Sequence, residues 1–180
     1  MSFPPNDGVP IWLTDVNGTL LFRAQDAEHG YELWRSDGTA AGTVLVRDIE
    51  PGPDSSGPGH FFFTPSTVFF TAYRPSTGGE LYRTDGTEAG TTLVKDILPG
   101  LGTGFGGAIG VLGSGLLFTA DDGVNGIEPW FSDGTADGTF LLGDLNPGPA
   151  SSEVMPIGIL NGAAFFTASL RKRDASTSFW

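Results

Sequence analysis

The chain has 180 residues and a formal charge of −12, from 21 acidic against 9 basic side chains, a balance that repels a phosphate backbone and disfavours nucleic acid as a partner. Cysteine is absent, which excludes disulfides, zinc–thiolate clusters and a thiol nucleophile. With 28 Gly, 13 Pro and 12 % aromatic residues, the composition suits many short strands separated by turns rather than helices.

The opening "MSFPPNDGVPIWLTDVNG" has neither the basic nor the apolar region of a signal peptide. No apolar run reaches the ~18 residues of a membrane span. The first predicted strand is the short, mixed "IWLTDV" from Ile11; the second is the apolar "TLLFRA" from Thr19, ended by a polar loop. A third, "YELWRS", starts at Tyr31, and a fourth, "TVLVRDI", runs from Thr43 to the Pro51-Gly52 turn. The same order then returns. "HFFFTP" from His60 and "PSTVFFTA" from Pro65 lead to "ELYRTDGTEAGTTLVKDILPG" from Glu80. "AIGVLG" from Ala108 and "GSGLLFTA" from Gly113 lead to "EPWFSDGTADGTFLLGDLNPG" from Glu128. "PIGIL" from Pro156 and "NGAAFFTA" from Asn161 open a fourth unit that departs from the pattern at Ser176, where the next Glu is due.

The period is 48, and 10 of the 21 positions from Glu32 to Gly52 are identical in all three complete copies. A fixed period of this size implies stacked equivalent units. Leu20, Leu21 and Phe22 make both faces of the second strand apolar, as expected for a sheet covered on both sides. The expected fold is therefore all-β, with β-propeller-like blades of four antiparallel strands, three complete and a partial fourth. Stacked sheets of a solenoid are the alternative. The units fall at about 7–54, 55–102, 103–150 and a partial 151–180 within a single repeat domain. An unfinished fourth unit is expected to leave an open strand edge through which the chain pairs with further repeats or oligomerises.

The three segments from Glu32, Glu80 and Glu128, with leads such as "NGTLLF" and "LLFTADDG", resemble the bacterial ELWxxDGT repeat proteins over roughly Pro10 to Ala168. Departures are Tyr82 for the Trp and Pro129 for the Leu. The resemblance implies a piece of a larger exported or surface-associated repeat protein, extracellular or cell-surface in location. The expected function is a non-enzymatic module that displays its repeated loops for adhesion or for binding a protein or glycan; a purely structural segment and a propeller-type glycan hydrolase or lectin are the alternatives.

The repeated residues supply the candidate sites. Asp37-Gly38, Asp85-Gly86 and Asp133-Gly134 are expected to be structural turns, because Gly takes positive φ freely and Asp accepts backbone N–H bonds. Asp48, Asp96 and Asp144 are expected to cap the turn that closes each fourth strand. Glu32, Glu80 and Glu128 share a strand face with Trp34, Tyr82 and Trp130. Carboxylates beside aromatic rings form the candidate ligand-binding set, with inter-blade packing as the alternative. Asp121, Asp122 and Asn125 in "DDGVNG" are the candidate metal ligands, for calcium, although Gly123 and Ser132 break the EF-hand pattern. No cofactor and no catalytic residue are expected. His29 and His60 sit in variable loops of different repeats, and no G-x-S-x-G serine is present.

Overall fold

A computed structural model describes residues 9–169. The basic run Arg171-Lys172-Arg173, Ser176 and Trp180 lie outside the described residues. The fold is all-β, and no helix is long and apolar enough to cross a membrane among the described residues.

The first sheet contains β1 (Ile11–Val16), β2 (Thr19–Asp26), β3 (Gly30–Ser36) and β4 (Val44–Arg47). The second contains β5 (Gly59–Phe63), β6 (Val68–Arg74), β7 (Gly78–Thr84) and β8 (Thr92–Lys95). The third contains β9 (Phe105–Leu112), β10 (Gly115–Asp121), β11 (Ile127–Ser132) and β12 (Thr139–Leu141). A two-stranded fourth sheet pairs β13 (Met155–Leu160) with β14 (Ala163–Thr167). Every sheet is an antiparallel meander in chain order.

Local chemistry fixes these hairpins. Asn17-Gly18, with φ of 53° and 84°, joins β1 to β2 with Val16 opposite Thr19. Asn161-Gly162, with φ of 51° and 76°, repeats the device between β13 and β14. Both are two-residue connections whose positive φ matches the right-handed strand twist. The first strand of each of the first two sheets also carries a register break, at Trp12 (φ 58°) and at His60 (φ 52°). Such bulges re-aim a side chain, and these two bring the Trp12 and His60 rings to a centroid distance of 5.2 Å.

Two core layers lie between sheets rather than within one. Leu21, Leu33, Val46 and Ile49 of the first repeat meet Val68, Phe70, Ala72 and Tyr82 of the second. Phe69, Leu81, Val94 and Ile97 of the second meet Phe105, Leu116, Phe118, Ala120 and Trp130 of the third. The second sheet is thus buried on both faces, which is why Val68, Phe69 and Phe70 are consecutive apolar residues in β6. Long cations tie neighbouring sheets: Arg47 Nη1 donates to the Thr91 carbonyl at 2.6 Å, and Lys95 Nζ to the Thr139 carbonyl at 2.7 Å. Gly143 holds that position in the third repeat, where no such tie can form.

Candidate functional site

The loop after the third strand of each complete repeat satisfies its own polar groups. Asp37 Oδ1 accepts from the Thr39 N–H at 2.9 Å and the Thr39 hydroxyl at 2.7 Å. Thr39 Oγ1 accepts from the Gly42 N–H at 2.9 Å, and the Thr43 hydroxyl donates to the Thr39 carbonyl at 2.7 Å. Asp85 with Thr87, Gly90 and Thr91, and Asp133 with Thr135, Gly138 and Thr139, reproduce the set. Gly38, Gly86 and Gly134 take φ of 92°, 85° and 92°. The threonine bonds hold the Asp37, Asp85 and Asp133 carboxyls below the usual range. Asp48 and Asp144 each accept from the glycine N–H four residues on, at 3.2 and 3.1 Å.

The repeated glutamates lie inside the fold. Glu32, Glu80 and Glu128 are each 0 % exposed. Glu32 accepts from the Ile49 N–H at 3.1 Å and the Glu50 N–H at 3.3 Å, both at the exit of its own sheet. It also accepts from the Ser56 N–H at 2.9 Å and from the Ser56 hydroxyl, on the linker to the second sheet. Ser56 in turn accepts through its carbonyl from Tyr73 at the end of β6. Each glutamate therefore stands where one sheet hands over to the next. Glu80 accepts from Leu98 and Glu128 from Leu145, both at 3.0 Å. Gly104 replaces Ser56 at the second handover, and a Cβ there would meet Glu80 Oε1 at 2.4 Å. Glu80 has no serine hydroxyl, and its Oε2 is buried without a partner. Burial pushes the Glu80 carboxyl up to about 7, and the nearby Asp96 charge adds to the rise. Burial also raises Glu32, against the bonds from Ser56.

The partners expected to complete a ligand surface point into the layers between sheets. Tyr82 and Trp130, 4 % and 7 % exposed, fill the faces turned to the preceding sheet. Burial raises the Tyr82 hydroxyl pKa. Trp34, the equivalent in the first sheet, is partly buried. Of the six residues Glu32, Trp34, Glu80, Tyr82, Glu128 and Trp130, a ligand reaches only Trp34 without parting the sheets. In the "DDGVNG" loop, Asp121 Oδ1 accepts from the Gly123 N–H at 2.7 Å. Asp122 Oδ1 accepts from the Val124 and Asn125 N–H groups at 2.9 and 2.8 Å, and Asp122 Oδ2 from the Asn125 side-chain amide at 2.8 Å. Burial pushes the Asp122 carboxyl up, and the bonds from Asn125 and Val124 outweigh it to leave a lowered pKa. No group of three or more His, Cys, Asp or Glu with metal-binding geometry occurs among the described residues.

An open site appears instead between the first and second sheets, at the end where β1 turns into β2 and β7 leaves into its Asp-Gly loop. This cleft has a volume of about 550 Å³. Leu21 and Val68 form its apolar floor, and the Phe63 ring, 38 % exposed, stands at its side. Asp15, Asn17, Arg35 and Asp85 bring carboxylate, amide and guanidinium groups to its lining, while the Thr67 hydroxyl donates to the Thr84 carbonyl at 3.2 Å. The same place one interface on is closed. A methyl group on Gly86 would meet nothing within 4 Å, whereas one on Gly134 would lie 3.5 Å from both Arg83 and Thr67. The Ser66 hydroxyl also donates to the Ser114 carbonyl at 3.1 Å across that second interface. Asp15, Asn17, Arg35 and Phe63 vary between copies, so the shared motif does not mark them. Position-by-position comparison of the copies is the signal that finds them.

Comparison with protein-family models, curated proteins and solved structures found no match to this chain.

Proposed function

We propose that this chain is a non-enzymatic binding module of propeller-like blades, serving adhesion or ligand capture at a bacterial surface, the location that its resemblance to the ELWxxDGT repeat proteins implies. The observation that carries this reading is the cleft between the first and second sheets, with its exposed Phe63 ring and its carboxylates, amide and guanidinium. An aromatic face beside several hydrogen-bonding groups suits a polyhydroxylated ligand such as a glycan, which offers C–H faces to the ring and hydroxyls to the polar groups. Arg35 is exposed, so its removal leaves the core intact.

A glycan array followed by calorimetry on the hits tests this directly. Arg35→Ala should weaken binding about tenfold, roughly the loss of one charge-assisted hydrogen bond, with an unchanged melting temperature. Binding that is indifferent to Arg35→Ala and to Phe63→Ala would remove the cleft from consideration. The self-satisfied Asp-Gly-Thr loops favour the second reading, a purely structural repeat, and the absence of any ligand across the array would support it.

A further inference from the structure

At the opposite end of β6 the two inter-sheet layers differ again, and equivalent positions 48 residues apart show how. In the first repeat, Arg23, Tyr31 and Trp12 lie at this end: the Arg23 guanidinium sits 5.2 Å over the Tyr31 ring centroid, and Trp12 packs against His60 and Gly59. One period on, Thr71 stands for Arg23, Gly79 for Tyr31 and His60 for Trp12. Arginine and tyrosine give way to threonine and glycine and the indole to an imidazole, while Phe62 and Phe105 stand where the first layer has Thr14 and Gly57; a pocket of about 300 Å³ lies between the second and third sheets. Tyr73, which replaces Gln25 across the strand from Gly79, adds a ring; it stands as a wall and stays 40 % exposed.

The remaining surface has a definite chemistry. Gly107 exposes flat backbone, and a methyl there would meet only the Thr119 hydroxyl, at 3.9 Å, whereas Thr103 lies against Gly79 and Thr119 against Gly106. Phe62 and Phe105, with ring centroids 6.0 Å apart, form a second wall. The polar groups at the rim already have partners: the Thr71 hydroxyl donates to the Gly59 carbonyl at 3.1 Å and lies 3.2 Å from His60 Nδ1. A hydroxyl-rich ligand would find few free groups here, whereas a planar apolar ring would find aromatic walls and a flat floor.

We propose that this pocket binds a free small molecule carrying a phenol-sized aromatic ring, in the slot that Tyr31 fills in the first repeat. The site is separate from the polar cleft, at the other end of the sheets, and stands independently of the glycan reading. The exchange of Tyr31 for Gly79 removes the volume of one ring, which suits a free molecule of that size.

The test is titration of the full chain with p-cresol, followed by amide NMR. Saturable shifts centred on Gly79, Gly106 and Gly107, with Kd on the order of 1 mM, are expected. The double variant Gly79→Tyr with Thr103→Ser copies Tyr31 and Ser55 and refills the slot. The second change removes Thr103 Cγ2, which a Cβ on Gly79 would meet at 3.1 Å, and leaves the hydroxyl, at 2.9 Å, free to rotate away. It should weaken p-cresol binding at least tenfold while the chain still melts cooperatively. If that variant fails to fold, Thr71→Arg, which copies Arg23, should have the same effect on binding. No saturable shift up to about 10 mM, or equal affinity in a folded refilled variant, overturns the proposal. N-acetyltyrosinamide binding more tightly than p-cresol would overturn the assignment to a free molecule.

Discussion

Gly42, Gly90 and Gly138 show how single residues shape the repeat. A Cβ at each would lie 2.0 to 2.1 Å from the carboxylate oxygen of Asp37, Asp85 or Asp133. The second glycine of each loop is therefore required by the carboxylate that lies against it, while the first supplies a positive φ. Gly90→Ala should destabilise the chain by roughly 1–3 kcal/mol, because either the carboxylate or the backbone must move. Urea unfolding checks this; an unchanged midpoint would mean that the loop bends at no cost. The sequence showed Asp-Gly as a turn, since that dipeptide has local preferences. It did not show what the second glycine meets, because that contact depends on the path of the loop between the two residues.

At the level of elements, the buried glutamate joins consecutive sheets, and it makes stability depend on pH. The Glu80 carboxyl titrates near 4.5 when unfolded and near 7 when folded. Its favourable contribution is thus fully present below 4.5 and is lost as pH rises through 7, since the folded chain holds the proton longer. The change is roughly 3 kcal/mol across that window. Glu32, raised in the same sense, adds to the slope. Glu80→Gln keeps an acceptor for the Leu98 N–H and removes the buried charge. It should flatten the fall in stability between about pH 4.5 and 7 and leave the slope due to Glu32. Denaturant midpoints across that range read it out; an identical slope in the variant would place the titration elsewhere. The Asp37, Asp85 and Asp133 carboxyls, held low by their threonines, act oppositely, and their contribution is lost as pH falls below about 4.

For the molecule as a whole, each sheet is stabilised by its neighbours. Arrays of this kind behave as nearest-neighbour systems, so protection should follow coverage. The second sheet is buried on both faces and tied through Arg47 and Lys95. The β13–β14 hairpin is exposed along its length, with Ile157 70 % accessible, and the third repeat sends it no cationic tie. Hydrogen exchange should be slowest in β6 and β7 and fastest in β13 and β14. Uniform protection across the four sheets would contradict the nearest-neighbour picture. Loss of the Lys95 tie in Lys95→Ala should speed exchange in β11 and β12 more than in β2 and β3.

By itself, the sequence determined the period of 48, the four-strand meander, the Asp-Gly turns and the all-β class. These rest on interactions within a few residues of each other or on alternation along one strand, and both can be read along the chain. Only the tertiary structure decided that Glu32, Glu80 and Glu128 are buried where one sheet hands over to the next. Their partners at Ser56 and Leu98 lie 24 and 18 residues away, on linkers whose course follows from how the sheets stack. It also decided which layers are open. The polar cleft beside Arg35 and the aromatic pocket beside Gly79 arise where non-identical residues of successive copies face each other. Openings of this kind depend on the volumes of side chains from two sheets, a property of the packed layer and of neither strand alone.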